Sequence, residues 1–517
     1  MQLSEVTSHA GSVEGVGVAQ HARTRDRLWP LGAVALAAGS VLLWLPALDL
    51  PLHVDAAGYA TAAYWWARGD TLYRGLTITR PQGIFVLFRL VEALGLGSIR
   101  GIHLFAAAYT ALSALTLLAI AGRVWGRPIG LGAAALFALL MATPYVEGYS
   151  ANAELFMTLP LLAGLYLLVL AGDSPPGAAR GRWLVAGCGA LAAVALLIKP
   201  SGVAVLPLAA LWLLLRRRRE GAGRGAWLRA EAALGLGFAA GLAPALAHGL
   251  LTAPGVYLDA VLLYRLRADS LVAGAAGYQA TNFALNSLYV AGHLAPVCLL
   301  AAVGLAAARR DRERRGLLWL WLATALGGMA LGGDWFLHYY QQLLPPLAVA
   351  AALGARALRR RPDRPALLAL QGLAGAGVAL LALALAPTFV RPADPATLPE
   401  YEPGVAAAAP VAAYLRDHTA PAETVYVAYD HADIYYLSGR RPAARWLHFR
   451  ELTRTPGAFE EQVARLADPA TAPRYIVGAQ RFDRWGLDAD GRLRAVVARD
   501  YTREITIDGI PLYRRSN

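Results

Sequence analysis

The chain has 517 residues, of which 57% are hydrophobic, with a mean hydropathy of +0.43 and a formal net charge of +13. Soluble proteins rarely reach this hydropathy, and apolar segments of about 20 residues, the length a helix needs to cross a bilayer, recur along the chain. The arginines lie in short clusters between these segments without a nucleic-acid-binding motif, which argues for a membrane protein and against a nucleic-acid partner. The cysteines, Cys188 and Cys298, lie in apolar segments and show neither disulfide nor metal-site spacing.

Eleven membrane-spanning helices are predicted. The first apolar run follows a polar tail, residues 1–28, and is too long for a signal-peptide core, which predicts an uncleaved span. The predicted spans cover residues 29–48, 101–121, 128–144, 154–171, 183–199, 201–215, 231–252, 286–308, 316–333, 339–355 and 366–387.

Arginine counts predict the orientation of these spans. With a cytoplasmic N-terminus, the segments on the inner side hold 23 arginines, against eight arginine or lysine residues on the outer side. The positive-inside rule therefore places the tail of residues 1–28 in the cytoplasm. An odd number of spans then places the C-terminus outside, in a plasma membrane of the bacterial type.

The chain changes character after Pro387. Residues 29–387 form the predicted transmembrane domain, residues 388–403 a proline-rich linker, and residues 404–517 a small extracytoplasmic α/β domain. Within that last domain, helices are predicted over residues 404–419 and 457–468, and strands over residues 424–429, 474–479 and 494–507.

The first external segment, residues 49–100, is too long for a simple loop. Residues 56–68 and 82–95 read as amphipathic helices that lie at the membrane surface. Four aromatic side chains of this segment suit the membrane–water interface, namely Tyr59, Tyr64, Trp65 and Trp66.

Charged residues at the outer ends of predicted elements are candidates for chemistry, although each has a structural explanation. Asp55 could be the N-cap of the first surface helix, and Arg80 an interfacial arginine before a proline that starts the second. Glu154 could simply favour a helix N-terminus, or it could face a cavity or a polar partner at the mouth of its span. His338, beside Tyr339 at the mouth of another span, could be structural.

Lys199, in the sequence LLIKPSG, is the only lysine of the chain. A lysine that merely extended to the membrane surface could be replaced by arginine, which fills every other basic position. A compact ammonium group suits a point contact with a phosphate or a carboxylate. The predicted topology brings Asp55, Arg80, Glu154, Lys199 and His338, from five separate segments, to one face of the bundle.

Five motifs in this order resemble the glycosyltransferase-C superfamily, in the branch of protein O-mannosyltransferases and lipid A aminoarabinose transferases. They are HVDAAGYA with Asp55, TRPQG with Arg80, SANAELFMTLPLLAGLYLL with Glu154, LLIKPSG with Lys199, and HYYQQLLPPLAV with His338 and Tyr339. The resemblance covers roughly residues 29–360. Two positions depart from the pattern: Ala56 stands where a second acid is common, and Gln82 where proline is usual.

The resemblance implies an all-α multi-pass bundle with surface helices in its first external loop, residues 49–100, and a variable external C-terminal domain. It implies transfer of a sugar from a polyprenyl-phosphate donor to a lipid, glycan or protein acceptor, with inversion at the sugar carbon. Asp55 would be the catalytic base, and Glu154 would orient the sugar or Lys199. Arg80 and Lys199 would hold the leaving phosphate, with His338 and Tyr339 as further candidates for the donor site.

Two other functions stay open: a transporter or flippase of lipid-linked sugars, and a non-catalytic membrane scaffold. An inverted repeat, which many transporters show, is not evident in the sequence. No cofactor is predicted with certainty, and the sequence leaves a divalent metal open.

The arginine asymmetry predicts a measurable topology. A reporter that is active only outside the cytoplasm should be active when fused after residue 400, and a cytoplasmic reporter should be active when fused at residue 222. The opposite result would move every candidate site residue to the cytoplasmic face.

Overall fold

A computed structural model of the protein describes residues 29–175, 177–221, 223–264, 275–307, 312–359, 365–398 and 405–516. The predicted cytoplasmic tail lies outside these ranges, as does the end of the predicted linker. The described chain is mostly helical and closes with a small sheet, which confirms the predicted helical membrane bundle with a small C-terminal α/β domain.

Besides short 3₁₀ and π turns, fourteen longer helices precede the C-terminal domain in the described residues. In chain order they are α1 (Trp29–Ala47), α2 (Val54–Ala67), α3 (Gly83–Ala93), α4 (Ile99–Trp125), α5 (Arg127–Leu140), α6 (Ala153–Ala171), α7 (Ala179–Ile198), α8 (Val205–Glu220), α9 (Arg224–Thr252), α10 (Ala275–His293), α11 (Ala295–Ala307), α12 (Arg312–Ala330), α13 (Leu344–Arg359) and α14 (Pro365–Val390).

Seven helices of the described part are long and apolar enough to cross a membrane, and a bent pair would make an eighth. The seven are α1, α4, α6, α7, α8 with the turn before it, α9, and the second part of α14. Every predicted span overlaps a helix, but the count of eleven is not confirmed.

Two predicted spans differ from the structure in shape. The span over residues 286–308 is instead α10 and α11, which meet at 85°. Pro296 lies in the first turn of α11, where its missing N–H is not needed, so a new helix begins there. The span over residues 128–144 ends early, because Thr143 precedes Pro144 and adopts an extended conformation, as a residue before proline prefers.

Small residues allow the closest helix contacts of the bundle. On α9, a Cβ atom added at Gly237 would lie 1.9 Å from the carbonyl oxygen of Ala186 on α7. Gly304 on α11 packs against the Ala350 carbonyl of α13 in the same way. Because lipid is as apolar as a leucine side chain, close packing of small residues is a main source of helix association in membranes.

Two helices form where they were predicted in residues 49–100, and they are α2 and α3. Helix α2 begins one residue before Asp55, and the ring of His53 accepts a hydrogen bond from the Asp55 backbone N–H at 3.4 Å. His53 is therefore the N-cap, and the capping explanation of Asp55 is wrong. Most of α2 is buried, because the C-terminal domain covers it: Thr61 donates a hydrogen bond to the Ala432 carbonyl at 2.8 Å.

The C-terminal domain is a five-stranded sheet with flanking helices. Its elements are α15 (Ala408–His418), β1 (Thr424–Val427), α16 (Ala432–Ser438), β2 (Arg441–Pro442), α17 (Phe449–Arg454), α18 (Ala458–Ala467), β3 (Tyr475–Val477), α19 (Arg492–Asp500), β4 (Tyr501–Ile507) and β5 (Ile510–Arg515). The strand order is β2-β1-β3-β5-β4, with β1 parallel to β2 and β3, and β5 antiparallel to β3 and β4.

The sequence prediction of strand over all of residues 494–507 is wrong in its first half, which is helix α19. Leu493, Val496 and Val497 are buried at helical spacing, three and four residues apart. The carboxylate of Asp488 accepts hydrogen bonds from the Leu493 and Arg494 N–H groups and so satisfies the start of this helix.

The contact of α9 with α7 predicts unequal effects of two alanine substitutions on one helix. Gly237→Ala should lower the melting temperature in detergent, because its methyl group would collide with the Ala186 backbone. Gly235→Ala is the matched control: nothing lies within 4 Å of its added Cβ atom, so the melting temperature should hold or rise slightly. Equal melting temperatures would contradict the packing.

Candidate active site

A cavity of about 420 Å³ lies between the membrane bundle and the C-terminal domain. The start of α2 contributes Asp55, and the segment before α3 contributes Arg80. A 3₁₀ helix, Leu337–Leu343, which precedes α13, contributes His338 and Tyr339. The opposite wall comes from the C-terminal domain, chiefly from α17 with the residue before it and from residues 430–433 at the start of α16.

Asp55 and Arg80 face this cavity with opposite charges. Burial favours the neutral form of Asp55, but the positive charge of Arg80 and the neighbouring histidines outweigh it and hold the pKa of the Asp55 carboxyl below its usual range. The Arg80 guanidinium donates a hydrogen bond to the Tyr59 hydroxyl at 3.2 Å. Asp55 is thus an ionised, partly buried carboxylate on the cavity wall.

The segment that carries Arg80 is held tightly against the bundle. A Cβ atom at Gly83 would lie 2.6 Å from the backbone of Leu197, at the end of α7. The side chain of Gln82 donates to the Ala245 carbonyl of α9 at 2.8 Å, and the Tyr73 hydroxyl donates to the Arg80 carbonyl at 2.8 Å. These contacts fix the position from which the guanidinium reaches the cavity.

Lys199 and Glu154 form an ion pair buried beneath the cavity. Helix α7 ends at Lys199 because Pro200 follows, and Glu154 lies in the first turn of α6. The two residues are 3% and 1% exposed, and the ammonium nitrogen lies 3.7 Å from the ring centre of Tyr339. Neither Lys199 nor Glu154 lines the cavity. Tyr339, which does line it, contacts Lys199 from the cavity side.

Alternating basic and acidic side chains connect this ion pair to Asp55. The His338 ring lies between the two glutamates: its Nε2 is 3.5 Å from Glu154 Oε1, and its Nδ1 contacts Glu147 Oε2. Glu147 Oε2 is in turn 4.0 Å from Nε2 of His53, the N-cap of α2. Burial would raise the pKa of Glu147, but the two histidines lower it below its usual value.

The C-terminal domain brings further charges to the opposite wall. Arg450 pairs with Asp334 at 2.6 Å, and Arg454 lies 3.8 Å from the same carboxylate. Nδ1 of His448 lies 3.2 Å from Asp430. Burial lowers the pKa of His448, but the bond to Asp430 and nearby carboxylates raise it to about 9, so this imidazole is positively charged at neutral pH.

His448 points at helix α2 one turn after Asp55. A Cβ atom at Gly58 would lie 2.4 Å from the His448 Nε2 atom, so only glycine leaves room for the ring at this position.

The structure brings all six candidate residues to one region. Asp55, Arg80, His338 and Tyr339 line the cavity, and Glu154 and Lys199 lie directly behind His338 and Tyr339.

Sequence reasoning did not identify the linking roles of Glu147 and His53 or the wall made by the C-terminal domain. The one local signal for that wall is WLHFRELTR, residues 446–454, which mixes aromatic and charged residues unusually densely. Within the described ranges, no group of three or more His, Cys, Asp and Glu side chains is arranged to hold a metal ion.

Comparisons with known proteins agree with this architecture. Residues 79–242 match the family model described as dolichyl-phosphate-mannose-protein mannosyltransferase. No curated protein matches the sequence.

Among solved structures, the chain is similar to ArnT from Cupriavidus metallidurans bound to undecaprenyl phosphate, with a TM-score of 0.64, 17% identity and coverage of 93% of this chain and 97% of that one. It is also similar to the Archaeoglobus fulgidus oligosaccharyltransferase AglB in complex with an inhibitory peptide and a dolichol-phosphate, with a TM-score of 0.52, 14% identity and coverage of 95% and 75%. The fold is that of glycosyltransferase-C enzymes, and the resemblance identified from the five motifs is confirmed.

The buried ion pair predicts a stability effect that a second substitution reverses. Lys199→Met leaves the Glu154 charge buried without its partner, which should cost about 3–5 kcal/mol and lower the melting temperature sharply. Lys199→Arg should fall between wild type and Lys199→Met, because the site is nearly closed and a guanidinium is larger than an ammonium. The double variant Lys199→Met/Glu154→Gln should recover most of the loss.

Thermal unfolding in detergent measures all three variants. The matched control is Arg123→Met, which breaks an exposed ion pair with Asp173 and should change the melting temperature little. A double variant as unstable as Lys199→Met would show that shape, and not charge, makes Lys199 necessary.

Proposed function

We propose that this protein is an integral membrane glycosyltransferase that moves a sugar from a polyprenyl-phosphate donor to a lipid, glycan or protein acceptor. The observation that carries the proposal is the placement of the Asp55 carboxylate and the Arg80 guanidinium on one cavity wall at the end of a membrane bundle. Two structures with this fold have lipid phosphates in their names, undecaprenyl phosphate and dolichol-phosphate. By analogy, a phosphate on a long lipid is the donor group that Arg80 would receive.

In this proposal Asp55 is the general base. Its lowered pKa keeps the carboxylate ionised, so it can accept the proton of an acceptor hydroxyl as that oxygen attacks the sugar. The new bond joins the acceptor oxygen to the anomeric carbon, and the bond from that carbon to the phosphate oxygen breaks. Attack from the side opposite the leaving phosphate inverts the configuration at that carbon.

Cations would stabilise the leaving phosphate. The electron pair of the broken bond stays on the lipid phosphate, and a fixed guanidinium in a partly buried site stabilises this charge more than water could. Lys199 would contribute its charge from behind the Tyr339 ring, with Glu154 holding it in place. His338 and Tyr339 line the cavity and are placed to contact the donor phosphate or the acceptor.

The proposed site faces outward. The arginine asymmetry of the sequence supports a cytoplasmic N-terminus and an extracytoplasmic C-terminal domain in a plasma membrane of the bacterial type. The cavity adjoins that domain, so donor and acceptor would meet on the extracytoplasmic side.

One experiment separates a transferase from a flippase and from a scaffold. Purified protein in liposomes is incubated with a radiolabelled polyprenyl-phosphate sugar and membrane extract. A transferase forms a labelled product and releases polyprenyl phosphate, whereas a flippase changes only the leaflet of the label and a scaffold changes neither.

Asp55→Asn should reduce transfer by roughly 10²- to 10⁴-fold, because an amide of the same shape cannot accept the proton. The protein should still fold, since Asp55 is not the N-cap of α2 and an isosteric amide fits its place. Asp49→Asn is the matched control: it belongs to the same external segment, pairs with Arg100 at an exposed position and does not line the cavity. Near-normal transfer rates in Asp55→Asn would refute the assignment of the base.

A further inference from the structure

Asp433 is a buried carboxylate on the cavity wall that the proposed transfer chemistry does not use. It lies in the first turn of α16 and is 2% exposed. The His431 ring is 3.7 Å from one of its oxygens, and the backbone amides of Asp433 and Ile434 lie beside it. The imidazole and these amides stabilise the carboxylate charge in part, but within the described part of the chain neither oxygen has a partner with the distance and angle of a well-formed hydrogen bond.

Burying such a carboxylate lowers the stability of the folded protein. A buried polar atom without a well-formed hydrogen bond loses its water and is only partly compensated by nearby dipoles, and the loss is greater for a charge. Burial raises the pKa of Asp433 to about 6, so the carboxyl is still largely ionised at neutral pH. A carboxylate with a purely structural role would be expected to have its hydrogen bonds made, as most buried polar groups do.

A second carboxylate on the same wall has a hydrogen-bond partner for only one of its two oxygens. Oε1 of Glu451, on α17, accepts a hydrogen bond from Thr79 at 3.3 Å, whereas Oε2 has no hydrogen-bond partner among the described residues. Glu451 is 5% exposed and lines the cavity. Two separate elements of the C-terminal domain therefore present oxygen atoms with unused capacity to accept hydrogen bonds.

An aromatic pair lies on the same wall. The rings of Phe449 and Trp485 are stacked, with centres 3.9 Å apart and planes at 7°. Trp485 adopts a left-handed backbone conformation, with φ of 57°, which is uncommon for a residue with a side chain. Strained residues of this kind are concentrated at binding sites, where the fold holds a side chain in place.

The charges nearby do not favour an anionic ligand. Both arginines of this wall, Arg450 and Arg454, lie within 4 Å of Asp334, and His448 is bonded to Asp430. What the wall offers to a ligand is acceptor atoms beside aromatic surface. Vicinal hydroxyl groups can donate to one carboxylate in pairs, and the C–H face of a sugar ring packs on aromatic rings.

We propose that Asp433 and Glu451, with the Phe449–Trp485 pair, form an acceptor subsite for a neutral carbohydrate. This deepens the proposed function, on which it rests, because it selects a glycan from the three acceptor classes. Its position suits that role: the residue before Asp433 accepts the hydrogen bond of Thr61, on the same helix as Asp55. The C-terminal domain thus places the acceptor in the cavity that Asp55 also lines.

The test measures binding of carbohydrates to the full-length protein in detergent. The probes are four neutral trisaccharides, maltotriose, cellotriose, mannotriose and triacetylchitotriose, and a hexapeptide that contains serine and threonine. Binding is followed by saturation-transfer NMR and by tryptophan fluorescence. We expect at least one trisaccharide to bind, and binding to weaken by roughly 10- to 100-fold in Asp433→Asn and in Glu451→Gln. Asp49→Asn should bind like wild type.

Three outcomes would overturn the inference: no trisaccharide binds, binding is equal in the variants, or only the peptide binds in a manner that depends on Asp433. The melting temperature of each variant shows whether it is still folded. Asp433→Asn removes an ionised group without hydrogen bonds, so its melting temperature should hold or rise, and a clear fall would show that the carboxylate is structural and would also overturn the inference.

A separate measurement keeps the two proposals apart. Transfer from the radiolabelled donor reports on the proposed function, whereas trisaccharide binding reports on the subsite. Transfer that depends on Asp55 without carbohydrate binding would refute only the subsite. Carbohydrate binding in a protein that performs no transfer would refute only the proposed function.

Discussion

Buried charge must be compensated, and the site is organised around this requirement. Lys199 and Glu154 lie almost wholly inside the protein, where an unpaired charge would cost several kcal/mol even after relaxation. Their pairing joins the end of α7 to the start of α6, since each residue lies at a helix terminus. Other titratable side chains of this region continue the same alternation of base and acid. They are His338, Glu147 and His53, and each lies 4.0 Å or less from the one before it.

This alternation connects the interior of the bundle to the reactive group. His53 is the last of these alternating side chains, and it is also the N-cap of α2, the helix that bears Asp55. The position of Asp55 therefore depends in part on Lys199 and Glu154, which do not line the cavity, and a change at Lys199 would act partly through this connection. It also explains why the chain keeps one lysine: the site is small, closed and matched to a single ammonium beside Glu154 and the Tyr339 ring.

The C-terminal domain is part of the site as well as an appendage of the bundle. It docks through an ion pair between Arg441 and Asp70, a backbone hydrogen bond from Thr77 to Arg445, and the bond from Thr61 to Ala432. All three contacts reach the first external segment, which carries Asp55 and Arg80. A shift of the domain would therefore move one wall of the cavity relative to the proposed base.

The features that could be predicted from the sequence depend on interactions between residues close together in the chain. Helices that cross a membrane must satisfy their own backbone and present apolar side chains to lipid, so hydropathy located them. Asp55, Arg80, Glu154, Lys199 and His338 were identified because each charge interrupts an apolar pattern or begins an element. The error over residues 494–507 has a local cause too, because alternation and helical spacing are hard to distinguish in a short run.

The remainder could not be predicted, because it depends on contacts between distant parts of the chain. Glu147 looks like an ordinary loop acid until His338, 191 residues later, lies against it. Asp433 lies in a segment that hydrogen-bonds to Thr61 across 371 residues. No local pattern reveals such neighbours.

The same rule of compensation distinguishes the two kinds of buried acid in this site. Glu154 and Glu147 are surrounded by bases, so their burial is explained by the protein itself. Asp433 and one oxygen of Glu451 are equally inaccessible to bulk water, have no well-formed hydrogen bond within the described residues, and have there no close ion pair of the Lys199–Glu154 kind. The first pair lies behind the cavity wall that bears Asp55, and the second lines the same cavity from the C-terminal domain, where a bound ligand could supply the missing contacts. If the proposed subsite exists, a molecule rich in hydrogen-bond donors is the ligand it favours, because its binding would satisfy the oxygens of Asp433 and Glu451.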